Sequence, residues 1–245
     1  MKKSLLIVGL LLAMSLTASA QYKGFSFGFK LGPSFDWTGS KTGAATNQGT
    51  GVGFDVGLVA EYYFAENYAI VTGVNVDFVN GHYKFDDMRN LSAIDTITDY
   101  QLGTVDRQFK TTIYEIPLML KMVTPELGGL PLRAYAQVGA GFGYVPQKVK
   151  VKDVIGDAAT PSEWSITDGE YNPFRLSLKI GAGAQYALDE STRLFAGLYF
   201  SHDFLNNIAP GKYRNYYNGD KEVGERGDKL TVLQNRLGLE VGILF

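Results

Sequence analysis

The sequence contains no cysteine, which excludes disulfide bonds, thiol chemistry and a cysteine-linked lipid anchor. It has only two histidines, His82 and His202, so few residues are available for the histidine chemistry of a lipid-modifying enzyme. Lys and Arg number 23 against 25 Asp and Glu, and the chain therefore lacks the basic excess typical of nucleic-acid binding. We expect no cofactor, no metal site and no nucleic-acid partner.

Long apolar runs are also missing, apart from one short segment near the start. Two lysines precede the apolar residues 5–16, and the small residues Ala18–Ala20 follow. This order is typical of a secretory signal peptide, whereas the apolar run is too short for a transmembrane helix. We expect residues 1–20 to be removed and residues 21–245 to form one domain.

The rest of the chain is dominated by alternation between apolar and polar residues. In the final segment, Leu237–Phe245, every second side chain is apolar, while Gly238, Glu240 and Gly242 occupy the other face. Period-2 alternation indicates β-strands, and about 9–11 residues suffice to cross a membrane at a tilt. Eight such segments occur, at Phe25–Phe35, Val52–Phe64, Tyr68–Asn80, Phe109–Met122, Leu132–Tyr144, Leu176–Tyr186, Leu194–Phe200 and Leu237–Phe245.

The connections between these segments alternate in length. Residues 65–67, 124–131 and 189–190 make short or moderate turns, and the long links are residues 37–50, 84–107, 146–172 and 206–229. Short turns at one end and long loops at the other are typical of bacterial outer-membrane barrels. We predict an all-β fold, an eight-stranded antiparallel up-and-down transmembrane β-barrel in the outer membrane of a Gram-negative bacterium. Its termini would be periplasmic and its long loops extracellular.

A soluble barrel of the lipocalin type is the alternative, with its apolar face inward. The polar face argues against it, because glycine weakens a water-exposed strand, whereas in a narrow lumen it makes room for larger neighbours. Two aromatic belts near the strand ends also favour lipid outside. The polar face carries both signs of charge, which predicts a ladder of ion pairs in the lumen, formed by Lys30, Asp55, Glu61, Asp77, Glu115, Lys121, Arg133, Lys179, Arg236 and Glu240.

Pro117 interrupts the fourth segment. Proline removes a ladder hydrogen bond and is usually found at an edge or a bulge. A closed barrel has no edge, so we expect a bulge or kink at this position. The charges on either side, Glu115 and Lys121, are then either a structural pair or a gate.

The long links contain three groups of polar residues with two interpretations each. Asp86, Asp87, Asp95, Asp99 and Asp106 are expected to be solvated loop acids rather than a cation site, because their spacing matches no calcium motif. The residues Tyr213, Arg214, Tyr216 and Tyr217 suit recognition or packing against the barrel rim. Finally, Lys148, Lys150 and Lys152 either keep one face of a strand extension wet or meet lipopolysaccharide phosphates.

Catalysis has little support. Ser201, His202 and Asp203 look like a hydrolytic triad in the sequence, but in a strand the histidine points away from the other two. We therefore expect no enzyme activity.

The stretch Tyr114–Lys121, which reads YEIPLMLK, resembles the PorT-like outer-membrane β-barrel family, whose members are often called porin family proteins. Strand count and size also resemble barrels of the OmpX and OmpA type. The resemblance implies insertion by the barrel-assembly machinery, with Phe245 in the terminal strand as the assembly signal. It does not imply one activity.

We expect a non-catalytic protein of the outer membrane that serves envelope structure, surface interaction or assembly support, in contact with outer-membrane lipid and lipopolysaccharide. A channel for small solutes is the first alternative, and a lipid-modifying enzyme the second. The sequence does not identify a surface ligand.

Overall fold

The computed structural model describes residues 24–41, 45–90, 100–146, 149–155, 164–167, 169–209, 215–218, 221–225 and 230–245. The predicted signal peptide and Tyr22 lie outside these residues. Eight strands form the barrel wall: β1 (Phe25–Gly39), β3 (Gly51–Ala65), β4 (Tyr68–Asn90), β5 (Tyr100–Val123), β6 (Leu132–Tyr144), β9 (Phe174–Ala187), β10 (Arg193–Asp203) and β13 (Leu233–Leu244). Five shorter strands accompany them: β2 (Ala45–Asn47), β7 (Val149–Ile155), β8 (Ser165–Thr167), β11 (Asn215–Asn218) and β12 (Lys221–Glu225).

The eight long strands close on themselves, each antiparallel to its neighbours. The last barrel strand pairs with the first, with Gly28 opposite Leu244 and Asp36 opposite Arg236. Strands β4 and β5 complete the ring. Closure leaves no unpaired edge in the wall, as lipid surroundings require. The predicted fold class is thereby confirmed.

Alternation along the strands turns apolar side chains outward and polar ones inward. Phe29, Leu58 and Leu239 are about half exposed on the outer surface, while Asp55, Asp77 and Glu240 are buried inside. A soluble barrel would show the reverse. The outer band is bounded by aromatic side chains at the short-turn end (Tyr62, Phe64, Tyr68, Tyr186 and Phe245) and at the other end (Phe78, Tyr144, Phe174 and Phe204). No helix in the described ranges is long and apolar enough to span a membrane.

The predicted link 84–107 is mostly strand. Strands β4 and β5 continue past the apolar band as a hairpin, paired from Phe78 and Thr112 up to Asn90 and Tyr100. The thirteen residues from Phe78 to Asn90 correspond to about 40 Å of strand. This prediction failed because only the membrane-crossing part of each strand shows outward apolar residues.

Shorter strands widen this hairpin into what we call the mouth sheet, formed by β2, the upper parts of β4 and β5, β7 and β8. β2 pairs with β4, β7 with β5, and β8 with β7. Parts of the predicted links 37–50 and 146–172 are therefore ordered against the barrel. In the fourth link, β11 pairs with β12.

The polarity of β4 and β5 reverses where they leave the apolar band. Within the band, Asp77 points inward and Phe78 outward; above it, Val79 and Tyr83 are buried while His82 is partly exposed. Lipid outside and charge inside give way to water outside and an apolar interior, as each solvent requires. The reversal marks the upper boundary of the membrane on the wall.

Of the bulge or kink predicted at Pro117, the register excludes the bulge. The register of β5 against β4 is the same below it, where Thr72 faces Leu118, and above it, where Asn75 faces Glu115. The pairing is interrupted at Pro117 without an inserted residue, and the Thr72 hydroxyl donates a 2.9 Å hydrogen bond to the Pro117 carbonyl. A side chain thus supplies a cross-strand contact where proline has no N–H to donate.

Candidate functional site: the lumen and the mouth above it

Opposite charges meet inside the barrel in pairs drawn from different strands. Near the short-turn end, the Lys121 ammonium lies 2.6 Å from a Glu61 carboxylate oxygen, and both residues are buried. Further up, the Lys30 ammonium lies 3.3 Å from Glu240. Each charge is neutralised by a partner on another strand, so these contacts cross-link the wall from within.

The middle of the lumen is denser in charge. The Arg236 guanidinium bridges two carboxylates, with Nε 3.0 Å from Asp36 and a terminal nitrogen 2.7 Å from Asp77. Lys179 pairs with Glu115, which also accepts a hydrogen bond from the Asn75 amide. A buried charge that lost its partner here would have no bulk water to replace it.

Two tyrosines reach across the lumen to carboxylates on other strands. The Tyr199 hydroxyl donates a 2.8 Å hydrogen bond to Asp55, and the Tyr135 hydroxyl donates a 3.1 Å bond to Glu240. The Lys121 ammonium also lies 4.3 Å from the centre of the Tyr135 ring. We call the paired charges and these tyrosines the lumen network, which consists of Lys30, Asp36, Asp55, Glu61, Asp77, Glu115, Lys121, Tyr135, Arg175, Lys179, Tyr199, Asp203, Arg236 and Glu240.

Several members of this network escaped sequence reasoning. Asp36 lies at the end of the first predicted strand, and the Arg175–Asp203 pair, 2.9 Å apart, lies at the upper end of the lumen. Tyr135 and Tyr199 share strand parity with Gln137 and Gly197, both on the inward face. Both tyrosines lie inside predicted segments, so period 2 alone would have placed them inward. Extending the alternation by a few residues at the strand ends would have included Asp36, Arg175 and Asp203.

Arg133 does not belong to the lumen network, contrary to the prediction. It lies on the inward parity but at the short-turn rim, where its Nε donates to the Thr124 carbonyl at 2.7 Å. A second nitrogen donates to the Asn67 side chain at 3.1 Å. The residue therefore ties two turns together because no carboxylate of the lumen reaches the rim beside it.

Inward-facing glycines create the space for large inward side chains. A methyl group on Gly238 would collide with the Tyr199 ring, one on Gly242 with the Phe195 ring, and one on Gly197 with the Tyr135 hydroxyl. These contacts confirm the expectation that inward glycines make room for larger neighbours. The lumen is filled by side chains rather than left open.

Apolar clusters close the lumen at both ends. The basal cluster, near the short turns, consists of Val59, Val71, Met119, Val123, Tyr135, Phe195 and Leu244, with Tyr63 packed against it. The mouth cluster lies under the mouth sheet and consists of Ala45, Val79, Tyr83, Phe85, Val105, Phe109, Ile113, Val145, Val149, Val151, Tyr171, Ile208, Leu230 and Val232. Charges in the lumen are thus enclosed between two apolar layers.

Two cavities lie between these layers. One, beside Lys30, Glu61 and Pro117, has a volume of about 30 Å³. The other, beside Arg175 and Arg236, has a volume of about 10 Å³. A water molecule needs about 10–15 Å³ by this measure, so these spaces hold a few waters at most.

The mouth cluster contains a second buried ion group. Arg107 places two nitrogens 2.7 and 2.8 Å from the Asp153 carboxylate and a third 2.8 Å from Glu170. Close by, the Tyr83 and Tyr171 hydroxyls lie 3.2 Å apart, and burial raises the pKa of Tyr83. The fork links β5 to β7 and to the segment before β9, which fixes the mouth sheet over the lumen.

The acidic residues of the second link do not assemble into a site that the structure describes. Asp95 and Asp99 lie outside the described residues, as do the side chains of Asp86 and Asp87. Asp106 pairs with His82, and its other oxygen lies 3.9 Å from the Lys84 ammonium. The described residues contain no group of three or more metal-ligating side chains.

The other link residues are only partly described. Tyr213, Arg214 and Lys148 lie outside the described ranges, and Tyr216 and Tyr217 are described only as backbone of β11. Lys150 and Lys152 stand on the outward face of β7. β7 is therefore a strand that extends above the barrel wall with its lysines on the outer face, which agrees with the interpretation of these lysines as the wet face of a strand extension.

Ser201, His202 and Asp203 do not converge. Ser201 and Asp203 are buried in the lumen, whereas His202 points outward and contacts the Asn235 side chain at 2.5 Å. The other histidine, His82, bonds to Asp106, and no hydroxyl among the described residues bonds to its ring. Strand geometry separates the three groups as expected.

The start of β1 and the end of β13 meet at the short-turn side. Phe245 exchanges two backbone hydrogen bonds with Phe27, at 2.8 and 3.2 Å, and the two rings lie 6.2 Å apart. At the same end, the Asp189 carboxylate accepts hydrogen bonds from the backbone of Ser191 and Thr192, which lower its pKa to about 2. Turn and terminus are thus ordered by local hydrogen bonds.

Solved structures of other bacterial barrels resemble this one over most of its length. Neisserial surface protein A of Neisseria is 14% identical, with a TM-score of 0.41, covering 90% of this chain and 96% of its own. The attachment invasion locus protein Ail of Yersinia pestis is 16% identical, with a TM-score of 0.34, covering 91% and 99%. OprG from Pseudomonas aeruginosa is 10% identical, with a TM-score of 0.32, covering 90% and 95%. Likenesses this distant carry no argument about function.

A comparison with curated proteins finds no match. A family model described as the outer membrane protein beta-barrel domain matches residues 17–210, which is most of the chain. The same stretch includes seven of the eight wall strands, and the outward apolar band is what such a domain requires. The chain therefore belongs to the outer membrane protein beta-barrel domain family.

Proposed function

We propose that this protein is a closed, non-catalytic barrel of the outer membrane that serves envelope structure, surface interaction or assembly support. In this proposal the short turns and both termini face the periplasm, and the mouth sheet faces outside. Family membership supports the outer-membrane location. The finer likeness to PorT-like proteins, carried by Tyr114–Lys121, and the role of Phe245 as an assembly signal are part of the proposal.

The observation that carries the proposal is the filled lumen. A solute moving along the axis would have to displace the basal cluster, then the paired charges, then the mouth cluster. Among the described residues, the cavities of about 30 and about 10 Å³ between these layers have room only for water. Opening a path would break several buried ion pairs at once, each costing about 3–5 kcal/mol when one partner is lost.

The absence of catalysis is supported by the separation of the candidate groups. His202 is on the opposite face of the wall from Ser201, and His82 is engaged by Asp106. Lumen carboxylates are paired with cations or accept hydrogen bonds from tyrosine hydroxyls, and these contacts give them a structural role.

The test is single-channel conductance of the refolded chain from residue 21 to residue 245 in a planar bilayer, beside a conducting porin as a positive control. Folding is checked first by heat-modifiable mobility in electrophoresis. We expect no conductance steps from the folded wild type. Stable ohmic steps would overturn the closed-barrel proposal and support the small-solute channel.

A variant with the lumen side chains removed sharpens the result. The double substitution Tyr199→Gly and Tyr135→Gly removes the two rings that cross the lumen and keeps every formal charge. We expect this variant to stay silent as well, because the paired charges and the mouth cluster still cross the axis. Conductance in the folded variant but not in the folded wild type would show that the two rings alone close the path.

A further inference from the structure

Lysines on the outward face of the mouth sheet form a basic patch above the apolar band. Lys110 on β5 stands directly opposite Lys150 on β7, and Lys152 stands opposite Gln108. Lys110 and Lys150 are exposed and Lys152 partly so, and none of them has an ion-pair partner among the described residues. Like charges directly opposite each other destabilise a strand pair, so the arrangement lacks a structural reason.

The patch is held rigidly in place. Alternate side chains of β7, Val149 and Val151, are buried in the mouth cluster, and Asp153 is gripped by Arg107. The intervening lysines are therefore forced outward at fixed spacing. A preformed group of charges binds an anion without paying the cost of ordering a loop.

The patch lies at the height of lipid headgroups. Tyr114 is an outward aromatic residue of the apolar band on β5, and Lys110 lies four residues further up the same strand. Four residues span about 13 Å of strand, or about 10 Å along the membrane normal at the usual barrel tilt. Lysine side chains also bend toward the interface from such a position.

Apolar residues next to the lysines distinguish a membrane surface from a soluble anion. Trp164 is 41% exposed, and its ring centre lies 4.7 Å from the Lys110 ammonium. Ile166 pairs opposite Lys150 and is 62% exposed. Tryptophan, aliphatic and basic side chains together are typical of surfaces that rest on a lipid headgroup layer.

One acidic residue among the described positions adjoins the patch. Asp106 lies on the same face of β5 but is engaged by His82 and by Lys84. Its charge is balanced locally, so Lys110, Lys150 and Lys152 retain their field toward the membrane surface.

We propose that Lys110, Lys150 and Lys152, with Trp164 and Ile166, bind the phosphate groups of a phosphorylated glycolipid in the outer leaflet. Two phosphates on one sugar headgroup match adjacent lysines better than a single charge does. The proposal rests on the orientation given under the proposed function, with the mouth outside, and is independent of whether the lumen conducts.

The experiment measures lipid binding to the folded chain in detergent micelles by native mass spectrometry. The probes are bisphosphorylated lipid A, the same lipid without phosphates, inorganic phosphate and heparin. The variants are Lys110→Gln with Lys150→Gln, the charge-preserving pair Lys110→Arg with Lys150→Arg, and Lys41→Gln. Lys41 is an exposed lysine outside the patch, so it controls for loss of one positive charge.

We expect the wild type to prefer bisphosphorylated lipid A, with an affinity that falls as salt is raised. Each lysine near an anionic surface contributes about 1 kcal/mol, so the double glutamine variant should bind about thirtyfold more weakly. The double arginine variant and Lys41→Gln should bind like the wild type. If the double variant fails to fold, each single glutamine variant should lose about fivefold.

Three results would overturn the proposal. Equal affinity of the wild type for lipid A with and without phosphates would show that the lysines do not read phosphate. Unchanged lipid A affinity in folded glutamine variants would place binding elsewhere. Displacement of lipid A by inorganic phosphate, or a stronger lysine-dependent affinity for heparin, would assign the patch to a free anion or a soluble polyanion. None of these measurements depends on conductance, so the closed-barrel proposal stands or falls separately.

Discussion

The lumen and the mouth sheet share strands β4 and β5, but they are stabilised in opposite ways. Inside the apolar band, β4 and β5 turn Asp77 and Glu115 inward, where cations from other strands neutralise them. Above the band, they turn Tyr83 and Phe109 inward and leave Lys84 and Lys110 outside. The lumen is therefore held together by charge pairs, and the mouth by apolar burial together with the Arg107 fork.

The difference follows from the solvent outside the wall. Apolar side chains on the outer face are stabilised by contact with lipid, so the polar side chains of the wall lie in the interior. Because they are buried there, they must pair with one another. Water allows the ordinary arrangement of a soluble sheet, with an apolar core beneath a polar face. A strand that crosses the boundary therefore has to change which face is polar and which is apolar. On β4 this change occurs between two successive inward residues, Asp77 and Val79.

The largest effect should come from breaking the centre of the lumen network. Arg236→Met keeps an unbranched side chain but leaves Asp36 and Asp77 without their shared cation. We expect a loss of about 3–5 kcal/mol in unfolding free energy, because a buried unpaired carboxylate cannot be hydrated. Urea unfolding from vesicles measures it.

Lys41→Gln is the control for Arg236→Met. The Lys41 ammonium is exposed and donates to the Phe204 carbonyl, so replacing this side chain should change the free energy by less than about 0.5 kcal/mol. Equal unfolding midpoints for the two variants would mean that the lumen pairs do not stabilise the barrel.

A smaller and more local effect should follow from opening the mouth. Phe109 is buried against the Tyr83 and Tyr171 rings, with centroids 5.9 and 5.8 Å away. Phe109→Ala should cost about 3 kcal/mol in the mouth sheet by leaving a cavity. Hydrogen exchange should speed up in residues 79–85 and 104–110 and stay slow in residues 114–122.

Gln108→Ala is the matched control, since Gln108 is an exposed neighbour on the same strand. It should leave exchange unchanged in both regions. If Phe109→Ala accelerated exchange equally in residues 114–122, the mouth and the lumen would be one cooperative unit, and the contrast drawn between them would be wrong.

The smallest effect should come from filling a glycine site in the lumen. Gly238→Ala would push a methyl group into the Tyr199 ring, which donates its hydroxyl to Asp55. Overpacking of this kind costs about 1–3 kcal/mol, depending on how far the ring can shift. Thermal unfolding of the folded variant measures it.

For Gly238→Ala, the comparison is Gly39→Ala at the upper end of β1. The nearest atom to an added methyl group there is the Asn235 amide nitrogen at 3.3 Å, the end of a side chain that can yield. A melting temperature lowered equally by both variants would show that the inward glycines are not spacers for the tyrosines.

Sequence reasoning placed the wall strands well because lipid imposes a strict period-2 pattern on them. Leu132–Tyr144 has the predicted bounds, and the membrane-crossing parts of the other strands lie where alternation was found. The inward parity of Glu61, Lys121 and Glu240 followed from the same pattern. Which cation would meet which carboxylate did not, because the pairs join strands that are far apart in sequence.

The mouth sheet escaped prediction for a physical reason. Above the apolar band, outward residues such as His82 and Lys84 look like a polar loop when read alone. Their strand character depends on β2 and β7 pairing alongside β4 and β5 and on the apolar cluster beneath. Arg133 and Pro117 failed similarly, since a rim position and a hydroxyl from Thr72 are set by neighbours in space.

The sequence by itself determined that this chain forms a barrel with an apolar outside and a charged, glycine-rich inside, because every wall strand must satisfy the same lipid boundary independently. Tertiary structure decided whether that inside is a passage or a core. Closure of the ring brings Arg236 between Asp36 and Asp77 and Tyr199 over Gly238, and it seals both ends with apolar clusters. These contacts depend on the stagger of the strands around the ring, which no single segment of sequence encodes.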